Sequence, residues 1–122
     1  MIYIASPYTS ETRDLESQRA SAVARYASHL IRAGYPAFSP IAHGHYIDQC
    51  VVKGTEPKYD HWIKHGLALM RGAVELHVFM LDGWQESSGV QREISLADHL
   101  NLPIDYISAI GYRRHDQLMS VV

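Results

Sequence analysis

A chain of 122 residues and 13.8 kDa is sized for a single domain spanning 1–122 with one core. Hydrophobic residues make up 47% and charged residues 20%, a balance that excludes a disordered or collagen-like chain. Eleven Lys and Arg against thirteen Asp and Glu give a formal charge of −2, so duplex nucleic acid is not expected as the main partner.

Residues 1–5 form a short apolar run stopped by Ser6-Pro7, as expected of a buried strand. Residues 14–33 carry Val23, Ala27, Leu30 and Ile31 at helical spacing, and Gly34 ends that helix. Tyr35 to Ser39 reads as a second strand closed by Pro40. The segment 41–57, with His43-Gly44-His45, Gly54 and Pro57, reads mainly as loop. A second helix is expected from about Lys58 to Gly72, with Ile63, Leu67 and Met70 on one face. Glu75 to Leu81 is the strongest strand, although Glu75 and His77 interrupt its apolar character. A third helix over about 89–100 turns Val90, Ile94 and Ala97 inward, and Pro103 to Ile107 forms a fourth strand. The last fifteen residues are ambiguous.

Strands alternating with helices imply parallel pairing, right-handed crossovers and helices on both sheet faces. The expected fold class is therefore α/β: a flavodoxin-like, doubly wound parallel sheet of four to five strands in three α/β/α layers. Such sheets bind ligands beyond the carboxyl ends of their strands, where the strand order reverses. Here that crevice lies between the first and third strands, bordered by the loops Ala5–Glu11 and Asp82–Ser88.

In the second loop, Ser88 with Gln91 three residues on has a capping-box pattern. Ser87, Ser88 and Gly89 would then offer hydroxyls and free N–H groups to a phosphate or carboxylate, or merely cap the helix. Glu93 lies one turn beyond Gly89, and helical side chains lean toward the N-terminus, so its carboxylate is expected over the space Gly89 leaves. A solvated glutamate is the bland alternative. In the first loop, Ser6, Pro7 and Tyr8 border the same crevice, with Tyr8 either a site hydroxyl or a ring packed over a turn. Asp82 would bind a sugar hydroxyl or close a turn. Trp84 would stack on a base or cover the core.

His43, His45, Asp60, His61 and His65 raise the question of a metal site, but without a His-Glu-x-x-His or Cys-x-x-Cys pattern none is expected, nor any other cofactor. His43 remains a candidate ligand contact because its loop borders the crevice. Arg19 would be solvated or would neutralise a phosphate. Cys50, the single cysteine, has no partner for an internal disulfide, and neither a signal peptide nor a membrane-length apolar run is visible. A cytoplasmic protein without membrane contact is expected.

The stretches Ile2-Tyr3-Ile4-Ala5-Ser6-Pro7-Tyr8, Gly34-Tyr35, Ser39-Pro40-Ile41 and Ser87-Ser88-Gly89-Val90-Gln91-Arg92-Glu93 resemble the nucleoside 2-deoxyribosyltransferase-like family. The resemblance covers roughly residues 1–107 and is closest to a small bacterial and phage branch of uncharacterised function. Its most specific part is the Ser-x-Gly-Val-x-x-Glu stretch, similar to the nucleophile-bearing segment of the deoxynucleotide N-hydrolases. The resemblance implies that Glu93 is the nucleophile, that Ser87 and Gly89 face the phosphate, and that Tyr8 stands near the nucleophile. Asp60 or Asp82 would be the second acid. Where the transferases often carry an aspartate, this chain has Ser87, which leans toward a nucleotide substrate or altered chemistry. A homodimer or higher homo-oligomer is the family's usual assembly.

The expected activity is cleavage or transfer at the N-glycosidic bond of a nucleoside or nucleoside 5′-monophosphate, through a glycosyl ester on Glu93 whose rotamer Tyr8 would fix. The alternatives are a non-catalytic nucleotide-binding module with an idle Glu93, and a metal-dependent hydrolase using the histidines.

Overall fold

A computed structural model describes residues 1–112. Its elements are β1 (Ile2–Ala5), α1 (Arg13–Arg32), β2 (Ala37–Phe38), α2 (Pro40–Cys50), α3 (Tyr59–Arg71), β3 (Glu75–Met80), α4 (Ser88–His99) and β4 (Ile104–Ser108). Residues 109–112 open a further helical turn. The four strands are parallel in the order β2-β1-β3-β4, so the strand order reverses between β1 and β3. The fold is the expected flavodoxin-like α/β/α arrangement. The ambiguous C-terminal residues 113–122 lie outside the described residues.

Alternation along the strands divides the core between the two faces. Ile2 and Ile4 of β1 and Phe79 of β3 pack with Val23, Tyr26 and Leu30 of α1. Tyr3 and Ala5, with Leu76 and Val78, pack on the opposite face against Met70 of α3 and Val90 and Ala97 of α4. Each fully buried aliphatic or aromatic side chain contributes about 1.5–3 kcal/mol by leaving water.

Helix boundaries follow local chemistry. Thr12 caps α1 by accepting from the Leu15 N–H, Asp14 and Glu16 occupy its first turn, and His29 and Arg32 its last. Gly34, at φ +93°, takes the left-handed conformation that lets the chain leave α1.

Two expectations are corrected. The second strand is two residues long, not five. The expected loop begins instead with the eleven-residue helix α2. Ser39 caps α2 by accepting from the Ala42 N–H at 3.1 Å, and Pro40 stands at its first position, where a proline costs no hydrogen bond. Pro40 therefore starts a helix rather than merely closing a strand. Among the described residues, no helix is long and apolar enough to cross a membrane.

Candidate functional site

A cavity of about 830 Å³ opens at the carboxyl ends of β1 and β3, within the usual range for small-molecule sites. The loop after β1 supplies Ser6, Pro7 and Tyr8, and the start of α4 supplies Ser87, Ser88 and Gly89. From α2 come Ile41, Gly44, His45 and Asp48, at positions i, i+3, i+4 and i+7 of one helix face. From α3 come Trp62, Ile63, Gly66, Leu67 and Met70, a second stripe at helical spacing.

Glu93 is recessed in the wall on the α4 side. Its Oε2 accepts from the Tyr3 hydroxyl at 2.5 Å. Burial pushes the Glu93 carboxyl up to about 7, against lowering effects from the Tyr3 hydrogen bond and the Arg92 charge. Burial and the Glu93 carboxylate hold the Tyr3 phenol well above its ordinary range, so Tyr3 keeps its proton and is the donor. Space for that hydroxyl comes from Gly66: a Cβ there would stand 3.2 Å from the Tyr3 oxygen. The adjacent Arg92 reaches across to α3, donating to the Tyr59 hydroxyl with its guanidinium 5.2 Å from that ring's centroid.

Arg19 ties the two crevice loops together. Its guanidinium donates to the Tyr8 and Thr9 carbonyls at 3.2 and 2.9 Å and to the Asp82 carbonyl at 3.1 Å. All three acceptors are neutral carbonyls, and among the described residues Arg19 has no ion-pair partner. Opposite, the Tyr8 hydroxyl pairs with His45 Nδ1 at 2.7 Å, and His45 Nε2 pairs with the Gln49 amide at 3.0 Å.

Three buried side-chain polar atoms among the described residues lack a hydrogen-bond partner: Ser6 Oγ, Arg19 Nε and Asp48 Oδ1. All three residues line this cavity. Buried polar groups are usually paired, and here the exceptions gather in residues around one cavity.

A model of the family described as a domain of unknown function (DUF1937) matches residues 1–108, which include every cavity residue named above. The chain belongs to the DUF1937 family. No curated protein matches it.

Within this DUF1937 domain, the cavity brings together Glu93, Tyr8, Ser6, Pro7, Ser87, Ser88 and Gly89 from the expected set. Tyr8, however, bonds His45 and not Glu93; the tyrosine on Glu93 is Tyr3, whose side chain β1 turns toward α4. Ser87, not Ser88, is the N-cap of α4, its Oγ accepting from the Val90 N–H at 3.3 Å. The Glu93 carboxylate does not fill the space over Gly89. A Cβ on Gly89 would meet only the Ser87 hydroxyl, at 3.9 Å, so that space stays open to the cavity.

Four expected residues fall outside the cavity walls. Asp82 is exposed and lends its backbone carbonyl to Arg19, while Asp60 is exposed in the first turn of α3. Trp84 is half-buried against the α4-side core, with its ring 5.8 Å from that of Tyr106. His43 is exposed on α2, its ring between those of Phe38 and His65 at 5.2 and 5.4 Å. The carboxylates that join Glu93 in the lining are Asp48 and Glu86. Sequence reasoning missed Tyr3, His45 as a cavity residue, and Asp48; the Ser39-Pro40 helix start was the signal for the last two. Of the histidines weighed as metal ligands, His43 and His65 stack at 5.4 Å, but among the described residues they belong to no group of three ligating side chains. Among the described residues, the group of three or more ligating side chains in reach of one another is Glu75, His77 and Asp105, on the opposite sheet face.

Proposed function

We propose that the cavity binds a nucleoside or nucleoside 5′-monophosphate and cleaves or transfers at its N-glycosidic bond, with Glu93 as the nucleophile. The observation that carries this reading is a recessed carboxylate, oriented by the Tyr3 hydroxyl at 2.5 Å, beside the N-terminus of α4. The resemblance of the Ser87–Glu93 stretch to deoxynucleotide N-hydrolases supports the same reading.

Glu93 attacks C1′ as the bond to the base breaks, and the base leaves with the electron pair and takes up a proton. Water attacks the resulting ester to release the sugar, or an acceptor base attacks to complete transfer. Tyr3 holds the Glu93 rotamer throughout. Asp48, the α2 carboxylate in the cavity lining, is assigned to the leaving base in place of Asp82 or Asp60. The 5′-phosphate is assigned to the α4 N-terminus, where the first N–H groups have no intrahelical acceptor. Ser87 Oγ, which caps the helix by accepting, still has its own proton to donate. Arg19 adds a positive charge nearby. Such remote phosphate contacts position the sugar for reaction.

The test is chromatography of wild type and Glu93→Ala incubated with nucleosides and 5′-monophosphates. Base released by wild type alone supports the reading, and an added acceptor base then separates transfer from hydrolysis. Binding without release by either protein would leave a nucleotide-binding module.

A further inference from the structure

We propose that Glu75, His77 and Asp105 form a divalent metal site on the face of the sheet opposite Glu93. Glu75 and His77 are two residues apart on β3, and His77 is in register with Asp105 on β4, so all three side chains project toward the α1 side. One ligating atom from each lies within 4.8 Å of the others.

His77 decides between a salt-bridged pair of strands and a site. It is 7% exposed, and a buried histidine in a strand core needs a reason. Its Nδ1 is paired with the buried Tyr26 hydroxyl at 2.7 Å, which fixes the ring and aims Nε2 at the two carboxylates. Nε2 stands 3.7 Å from Glu75 Oε2 and 3.9 Å from Asp105 Oδ2. Those distances are too long for hydrogen bonds. They are close to the spacing of about 3–3.5 Å between atoms that share an ion at about 2.0–2.2 Å. The carboxylates are the adjustable members, with side chains 33% and 69% exposed, so small rotations close the set around an ion. Bound this way, neutral His77 donates Nδ1–H to Tyr26, the outer partner that orients a metal-ligating imidazole. One imidazole and two carboxylates suit a borderline to hard ion such as Zn²⁺ or Mn²⁺, with water completing the coordination. An ion also offsets the proximity of two carboxylates set diagonally across neighbouring strands.

The test is calorimetric titration of chelator-stripped protein with Zn²⁺ and with Mn²⁺, alongside thermal unfolding with and without each ion. Wild type is expected to bind one equivalent and to unfold at a higher temperature in its presence. Asp105→Asn changes an exposed side chain, so the variant should fold. It is expected to weaken binding about tenfold or more and to lose the thermal shift, and Glu75→Gln to do the same. His99→Gln, which removes an exposed histidine elsewhere, should leave both unchanged. The proposal is overturned if wild type takes up no stoichiometric ion, or if the Glu75→Gln, Asp105→Asn double variant keeps full affinity because other histidines hold the metal.

Discussion

The Tyr3 hydroxyl and the Glu93 carboxylate, ninety positions apart in sequence, meet at 2.5 Å and join the middle of β1 to the second turn of α4. Tyr3 is almost wholly buried, so this contact rests on a fixed strand rather than on a loop. Replacing Tyr3 with Phe removes the bond that pulls the Glu93 carboxyl down and leaves the burial that pushes it up. A hydrogen bond to a charged group is worth about 1.5–3 kcal/mol, so the Glu93 titration should move up from about 7 by about one to two units. Carbon-detected NMR of the glutamate carboxyls reads this directly. If Glu93 is the nucleophile, kcat/KM should rise with pH toward a plateau above about 7 in wild type, and later in Tyr3→Phe.

The same burial predicts a stability that depends on pH. The folded-state value of Glu93, about 7, lies above its ordinary 4.5, so between those pH values the folded chain binds the proton more tightly than the unfolded chain. Stability from this group is fully present below about pH 4.5 and is lost as pH rises through 7, in total about 3 kcal/mol. Glu93→Gln keeps the shape without the charge. It should unfold several degrees above wild type at pH 8 and within about a degree of it at pH 4.5, and, if Glu93 is the nucleophile, it should release no base. Equal unfolding temperatures at pH 8 would show that the buried carboxylate carries no such penalty.

Gly66 isolates geometry from charge. A glycine inside a helix costs about 1 kcal/mol relative to alanine, yet α3 has one where the Tyr3 hydroxyl needs room. In Gly66→Ala the added Cβ meets that oxygen at 3.2 Å, while the helix itself gains. Stability in denaturant titrations should therefore change by no more than about 1 kcal/mol in either direction. The Glu93 titration should nonetheless move upward as the Tyr3 bond lengthens. An unmoved titration would mean that Tyr3 has freedom the packing does not suggest.

The layout of the site was legible where hydrophobic period and turn chemistry agreed. The strand run 1–5, the α1 stripe ending at Gly34, the strand from Glu75 and the helix carrying Glu93 all read correctly, and they place the crevice between β1 and β3. The wall made by α2 did not read. His43-Gly44-His45 carries no apolar stripe, because the face at Ile41, Gly44, His45 and Asp48 lines an open cavity rather than a closed core. Periodicity reports burial against apolar neighbours and is blind to a helix that faces ligand space. Tyr3 was hidden for the opposite reason: β1 is buried on both faces, so no alternation marks which residue turns toward α4. Asp82 and Asp60 were alternatives implied by the family resemblance, and the spacing did not decide between them. Their placement depends on turn geometry that spacing does not encode.

Arg19 offers the last test, because it holds both crevice loops without touching Glu93. Its three hydrogen bonds run to Tyr8, Thr9 and Asp82 carbonyls, and among the described residues its Nε has no partner. Replacing it with Met keeps much of the stem's packing and removes the clamp and the charge together. Amide exchange should then speed up in the loops around Thr9 and Gly83 while the β1 and β3 amides stay protected. If the charge also serves a 5′-phosphate, affinity for a nucleoside 5′-monophosphate should fall about tenfold or more, and affinity for the matching nucleoside much less. An equal loss for both ligands would assign Arg19 to loop positioning alone and move the phosphate entirely onto the N-terminus of α4.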